Sequence, residues 1–541
     1  MGRFFASLGL GVLLLAGGAG SLRAADVPSA PVLSSMRLGS GGPELPNGAT
    51  PASAEDESSG KTPEPLWVKK PRPKGLSYGG KLWTSIAPDL RMAGPYEDRF
   101  EWHSGIDFSV KYRFAQNARF VLGANLRYVL RAGRDVEADL TVDLGEAYLQ
   151  FSKGAFRLRA GRFLHTWGRN ALLSPLNQVA PVDAELAFAP EGAARARLPT
   201  LAMRANLNLH PVALELIWLP VFQPARASFY GHDFSLFRPG MLEETLPSLV
   251  PQTGAGVVDD VVKDTAAALI SSLQSLDPYA RDGIQSYLAF GVPEEYLWNG
   301  DIGGRVGFTG RGVDFDLVVL WHTLDMAELR INDDLRRPLV ENRLPDSGEL
   351  TRLTNPGATL IDSIYHRSLL VGADVAVAGG GFVFSAEAAY NTRGIYYKRD
   401  LSSYVSPHVN YAVAARYLYG TWAAFTVEFS HDILTQPQDA TFLRDQHQMR
   451  LAFLGTLRLF REKLHLTLSA AWDILEQDLY VHPRIGVVVT DRLQVAFGAS
   501  IFEGYNEDVA PSLDSVRSYE GGLVGYFRQN DYGYATVELS F

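Results

Sequence analysis

Two groups of charged residues stand at alternate positions of segments that otherwise read apolar, and they are unevenly ordered along the chain. Lys111, Arg113, Arg127, Arg131, Arg157, Arg159, Arg162 and Arg204 come first; Glu215, Asp314, Asp316, Asp374, Glu387 and Glu428 follow. Cations gathered on one wall and carboxylates on another would set a field across a water-filled space and sort ions by charge. The same residues could instead pair with their neighbours and fill space, as charges in any polar interior do. Covalent catalysis has less support. The sequence holds no GxSxG and no HExxH, and His431-Asp432 and His322 with Asp325 come without a matching nucleophile. Asp301 to Gly304 reads as a turn rather than a metal loop. The expectation is a protein that is not an enzyme and needs no metal or cofactor. The absence of cysteine excludes disulfides, Cys-bound metals and a lipidated N-terminal Cys. A net charge of −10 gives no reason to expect a nucleic-acid partner.

The elements that must position these charges are strands. Around 103–114, Ile106, Phe108, Val110, Tyr112 and Phe114 share one face, and Asp107, Ser109, Lys111 and Arg113 share the other. This period of two recurs in about 18 segments (16–18), from 76–87 to 531–541 and including 141–153 and 155–167. Most have the roughly ten residues of a tilted membrane strand. Their connections alternate. Short turns such as Lys153-Gly154, Arg311-Gly312 and Gly379-Gly380 are followed by longer loops such as 168–198, 221–299 and 325–363. That segregation is the habit of an all-β, antiparallel, up-and-down transmembrane barrel with short turns at one end and long loops, some helical, at the other. A soluble sandwich has no reason for it. Two strands break phase. A one-residue bulge at Gly161 would keep Arg162 inside and send Phe163 to lipid, and a similar slip is expected around Leu144-Gly145-Glu146.

The chain begins with the parts of a secretory signal. Arg3 precedes an apolar stretch from Phe4 to Gly18, and a small-residue cleavage site follows, most simply after Ala24. Residues 25–74 are rich in Pro, Ser, Gly and charge, a composition that cannot bury a core, and are read as a disordered periplasmic leader. Residues 75–541 are assigned to the barrel. Its surroundings are then outer-membrane lipid and lipopolysaccharide, and its partners the barrel assembly machinery and a small solute. The oligomeric state is left open.

The last strand, DYGYATVELSF, puts Gly533, Ala535, Val537, Leu539 and Phe541 on one face. A terminal Phe541 closing such a strand resembles the C-terminal assembly signal of bacterial outer-membrane barrels. Further pieces resemble a family of porin-like outer-membrane β-barrels of unknown function from Gram-negative bacteria. They are Gly161-Arg162 with Trp167-Gly168, Pro181-Val182-Asp183, LIWLPVFQP from Leu216 to Pro224 with Tyr230-Gly231-His232-Asp233, and Phe527-Arg528-Gln529-Asn530-Asp531. The resemblance implies a transport or channel role without a substrate or catalytic residues. The expectation is a channel for passive or gated passage of small solutes through a charged lumen. A transporter of hydrophobic molecules and a loop-plugged receptor or structural protein are the competing readings.

The 221–299 connection is too long for a simple loop. Val258, Val262, Leu269 and Leu273 recur at roughly helical spacing within it. Such a helix could enter the bore as a constriction or lid, pack over the mouth without gating, or lie in the outer leaflet.

Overall fold

In β9 (Val313–Thr323) every second side chain is buried and the residues between are exposed. Asp314, Asp316, Val318, Leu320 and His322 turn inward, whereas Phe315, Leu317, Val319 and Trp321 turn outward. Alternation of this kind places one face of the sheet against a filled interior and the other against an apolar surrounding. It repeats around the chain and sets the architecture.

In a computed structural model the chain forms a closed antiparallel sheet of 18 strands. Residues 75–541 are described apart from 92–99, 133–135, 185, 187–188, 190–195, 227–233, 235–299, 311, 342, 344, 354–360, 439–445 and 505–520. The first half comprises β1 (Gly75–Pro88), β2 (Phe100–Ala115), β3 (Ala118–Ala132), β4 (Val136–Lys153), β5 (Phe156–Phe163), β6 (Thr200–Leu209), β7 (Val212–Leu219), β8 (Asp301–Gly310) and β9. The second half comprises β12 (Arg367–Gly379), β13 (Phe382–Tyr397), β14 (Ser403–Tyr419), β15 (Ala423–Leu434), β16 (His447–Leu459), β17 (Leu464–Asp473), β18 (Asp478–Val488), β19 (Leu493–Gly504) and β20 (Tyr532–Ser540). Between β9 and β12, on the long-loop side, β10 (Glu328–Ile331) and β11 (Ile361–Ile364) make a separate two-stranded sheet. With helices α1 (Asp333–Glu341) and α2 (Ser347–Leu353) they form a small cap. Neither the cap sheet nor its helices were resolved by strand periodicity alone.

Each strand pairs with its sequence neighbour, and β1 pairs with β20 from Lys81↔Ser540 to Ile86↔Ala535. At this seam Phe541 extends the ladder. Its N–H donates to Gly80 O at 3.0 Å and its carbonyl accepts from Gly80 N–H at 3.1 Å. Gly80 has no room for a side chain there, because a Cβ would lie 2.6 Å from the Phe541 ring. Closure leaves no strand edge, and the outward band of Leu, Val, Phe and Trp side chains is what a bilayer requires of a spanning sheet. Among the described residues no helix is long and apolar enough to cross a membrane.

The slip expected at Leu144–Glu146 is present. Leu122 pairs with Ala147 and Ala124 with Leu144, so β4 carries an extra residue opposite β3. The other expectation needs correction. β5 pairs with β4 and β6 without a register shift, and Phe163 is fully buried inside the barrel rather than turned to lipid. Gly161 instead adopts φ +131°, which re-aims the chain so that Arg162 lines an inner cavity while Phe163 packs edge-on against Tyr148. β5 was also expected to run to 167. It stops at Phe163, five residues before the chain turns into the bore at Gly168.

Candidate functional site: a loop bound to one wall of the bore

From the last residue of β5 onward Phe163, His165 and Trp167 are buried, and Leu164 between them stays exposed. The chain then turns inward at Gly168, with φ +89°. A Cβ at this position would sit 2.0 Å from Ser174 Oγ and 2.9 Å from a Glu387 carboxylate oxygen, so only glycine fits.

From here the segment 165–179 attaches to the carboxylates of β7, β9, β12, β13 and β15. Glu215 accepts from Trp167 Nε1–H at 2.8 Å and lies 3.1 Å from His165 Nε2. The Arg169 guanidinium donates to Asp314 at 3.2 Å and also bonds Asp316 and Asp374. Glu387 accepts from the backbone N–H groups of Arg169 and Asn170, the latter at 2.6 Å, and from Ser174 Oγ–H at 2.5 Å. Glu428 accepts from the N–H groups of Ala171, Leu172 and Leu173 at 2.7, 3.0 and 2.7 Å. All six acidic residues singled out in the sequence are therefore acceptors for one inward loop. Asp316↔Asp374 and Asp374↔Glu387 are direct cross-strand pairs, an arrangement of like charges that is unfavourable unless a cation is set among them. Arg169 is that cation.

Apolar packing holds the same loop. Phe163, Trp167, Leu176 and Val179 join inward residues of β3, β4, β6, β7, β9, β12 and β13 in one core. Leu172 and Leu173 pack with Ala412, Ala452 and Leu454 of β14 and β16. Burial of such side chains is worth up to roughly 1.5–3 kcal/mol each, so the loop is a fixed part of the interior. Its continuation is tied down too. Val182 bridges to Arg197 and Asp183 to Arg226, and Arg226 bonds both Asp143 oxygens at 2.6 and 2.9 Å.

The basic residues stand differently. Arg113↔Arg119, Arg119↔Gln150, Gln150↔Arg159 and Arg159↔Arg204 are successive cross-strand pairs, one continuous row over β2 to β6. Arg157 lies two residues from Arg159 on the same face of β5, within electrostatic reach of Arg119 and Arg204. Gln150 Oε1 accepts from Arg119 at 3.2 Å and from Arg159 at 3.1 Å. The Arg159 guanidinium sits 4.4 Å from the Tyr148 ring centre and 5.2 Å from that of Phe163. Arg204 lies at the border of the two walls and bonds Glu215 at 2.6 Å. Lys111, Arg113, Arg127 and Arg157 have no side-chain hydrogen bond or ion pair among the described residues. Arg127 and Arg162 line a cavity of ≈ 230 Å³ with Trp83, His103, Asp143 and Arg226. Arg131, toward the long-loop end, bonds Glu101 at 3.3 Å.

No protein-family model matches the chain, and no curated protein matches it. Solved structures do. OmpF of Salmonella typhi, in complex with daunomycin, is 10% identical over 86% of this chain and 98% of its own, with a TM-score of 0.37. A mutant of the Rh. blastica porin is 11% identical over 86% and 100%, with a TM-score of 0.33. OccAB3 of Acinetobacter baumannii is 8% identical over 86% and 99%, with a TM-score of 0.41. The likeness is one of fold alone. At these scores the closed barrel stands on its own strand pairing.

Several residues of the site were not singled out in the sequence. Arg169 and the N–H groups of 169–173 lie in a loop, where no periodicity marks them. Arg305 of β8, which bonds Glu215 at 3.0 Å, and Arg119 sit in alternating strands and could have been found by the same rule as the others. Trp167-Gly168 and Pro181-Val182-Asp183 mark where the inward loop turns and is fastened. In the Phe527–Asp531 stretch, Asp531 accepts from Phe502 N–H at 2.7 Å and Arg91 Nε at 2.6 Å beside the closing strand. His431 contacts Tyr411 and His447, and as a strand neighbour Asp432 projects to the other face. The 221–299 helix, with Val258, Val262, Leu269 and Leu273, lies outside the described residues, as do the signal segment and the leader.

Proposed function

We propose that this chain is an outer-membrane channel that passes small anionic solutes between the inward loop and the basic wall of β2 to β6. One observation carries the reading. The loop supplies hydrogen-bond donors to every carboxylate of the acidic wall, while Arg157 on the other wall has no side-chain hydrogen bond or ion pair among the described residues. Water beside such a wall concentrates anions and depletes cations. The outward apolar band fits an outer-membrane setting, where the assembly machinery would close the barrel among lipid and lipopolysaccharide.

The apolar core built inside the bore around Trp167 and Leu176 favours a second reading, a loop-plugged receptor. Planar-bilayer recordings on the refolded full chain separate the two. A steady ohmic conductance with a reversal potential favouring chloride over potassium is expected. Absence of conductance in correctly folded protein would leave the receptor.

A further inference from the structure

The cavity of ≈ 230 Å³ between β1–β5 and the loop beyond 179 takes no part in fastening 165–179 to the acidic wall. Its strand side is polar. Asp107↔Asn125 and Asn125↔Asp143 are successive cross-strand pairs. Adjacent strands lie ~4.8 Å apart, so this row is roughly 10 Å long. Arg127 stands two residues from Asn125 on the same face of β3. The remaining surface is largely apolar, with Leu186, Leu198 and Pro199 from the loop and Trp83 from β1. The Trp83 ring is pressed onto the backbone of β2 at Gly105. A Cβ there would lie 2.8 Å from two ring atoms and 2.6 Å from Leu126 O, so glycine at 105 makes the room for an indole lying across the wall. The cavity opens to the bore, since inward-facing Asn125 is exposed and Asp107, Arg127 and Asp143 are half-buried.

We infer that this cavity binds one pyranose ring of a neutral sugar, with Trp83 against the C–H side of the ring and Asp107, Asn125, Arg127 and Asp143 on its hydroxyls. The site goes beyond the channel reading and does not depend on the sign of the ion that passes. Charge, polarity and size each select this ligand. The charges of the lining already answer one another. Arg226 bonds both Asp143 oxygens, and Arg127 and Arg162 lie within electrostatic reach of the same carboxylate. The site therefore demands no charge of its ligand. A purely apolar solute is disfavoured, because it would strip water from Asp107, Arg127 and Asp143 and return no hydrogen bond. Hydroxyl groups both donate and accept, so they can bond carboxylates, an amide and a guanidinium while the ion pairs stay in place. Each of those planar ends offers two atoms side by side, which suits neighbouring hydroxyls on one ring. The C–H groups of a pyranose pack on an aromatic surface such as the indole. A volume of ≈ 230 Å³ falls below the ~300 Å³ at which pockets begin to hold drug-sized ligands, and so admits a single ring.

The test is saturation-transfer difference NMR on the full chain refolded in lauryldimethylamine oxide, a detergent without a sugar headgroup. The probes are glucose, glucuronate and glycerol at equal concentration. Saturation should pass to the ring C–H protons of glucose and not to glycerol, which has hydroxyls but no ring. Trp83→Ala should reduce the transfer at least threefold, whereas Trp321→Leu, a change on the outer face, should leave it intact. Should Trp83→Ala fail to refold, Asn125→Leu, at an exposed inward position, should reduce the transfer at least twofold. Equal transfer to glycerol, no transfer to glucose in folded protein, or full transfer in the refolded Trp83 or Asn125 variant would overturn the proposal. Transfer to glucuronate alone would also overturn it, by making the site one for carboxylates. The readout needs no conductance, so a silent bilayer removes the channel and leaves the sugar site standing, whereas conductance without transfer does the reverse.

Discussion

The two walls of the bore carry opposite charge in similar strand geometry, yet an inward loop of the same chain bonds every carboxylate of one, whereas the arginines of the other are met by neighbouring side chains and rings of the wall itself. On the acidic side, five consecutive backbone N–H groups, a serine hydroxyl, an indole and one guanidinium bond six carboxylates. On the basic side, the hydrogen-bond partner shared by Arg119 and Arg159 is a single neutral amide. Carboxylates make good anchors because backbone N–H groups can answer them without a second charged side chain. Backbone carbonyls at a loop turn could answer arginines likewise, but here the loop lies against the other wall. On the acidic wall, then, charge has a structural use, whereas the proposed channel assigns the basic wall to solutes.

The largest effect should come from removing the cation of the acidic wall. Arg169→Ala leaves Asp314, Asp316 and Asp374 facing one another, and breaking a buried pair in this way costs about 3–5 kcal/mol. The midpoint of heat modification should fall, proteolysis within 164–199 should begin, and single-channel conductance should rise. An unaltered midpoint together with a protected loop would show that the apolar core alone fixes the loop. Next in size is a charge placed on the wrong face. Leu126 is exposed on the outer face near the middle of β3, beside inward Arg127. Leu126→Arg should cost about 2–4 kcal/mol, the range for Arg at the bilayer midplane, measured by denaturant unfolding in lipid vesicles. A loss below 1 kcal/mol there would place that face outside the hydrocarbon.

Smaller still in stability, though large in selectivity, is reversal of the basic wall. Arg127, Arg157 and Arg159 replaced together by Glu should leave folding within about 1 kcal/mol of the parent, because lumen substitutions tune selectivity rather than lipid contact. The reversal potential should swing toward cations. Unchanged permeability ratios in a folded triple variant would mean that solutes do not pass along this wall. The smallest effect concerns a carboxylate bonded in the same manner outside the barrel wall. Glu328 in the cap is desolvated by burial, which alone would raise its pKa. Hydrogen bonds from His366, Arg330 and Ser403 outweigh this and hold it down at about 2. Because the folded pKa is depressed, its contribution is complete above the unfolded value near ~4.3 and disappears as pH falls through about 2. Protease resistance of 325–366 should therefore persist at pH 5 and weaken below pH 3. Equal resistance at both would show that the cap does not depend on Glu328.

Much of this was open to reading in the chain. Strand spans agreed with periodicity to within a few residues wherever one face meets lipid, as in β9, since a period of two is imposed by the backbone and by the apolar surrounding together. The alternation of short and long connections gave the barrel its direction. The inward orientation of Asp316, Glu387 and Glu428 followed from the same rule. Phe163 did not follow it, because Gly161 at positive φ redirects the chain while leaving the pairing in register.

Sequence by itself thus determined which residues could line an interior and, to within about two, how many strands surround them, because these depend on neighbours two positions away. The tertiary structure decided which wall the inward loop would bond. Arg169 meets Asp314, Asp316 and Asp374 across 145 to 205 residues of chain. The turn at Gly168 that brings it there is set by the space left beside Ser174 and Glu387 once the barrel has closed. Contacts of that separation have no local period. They are chosen by the geometry of a closed sheet, in which distant strands become the opposite sides of one bore.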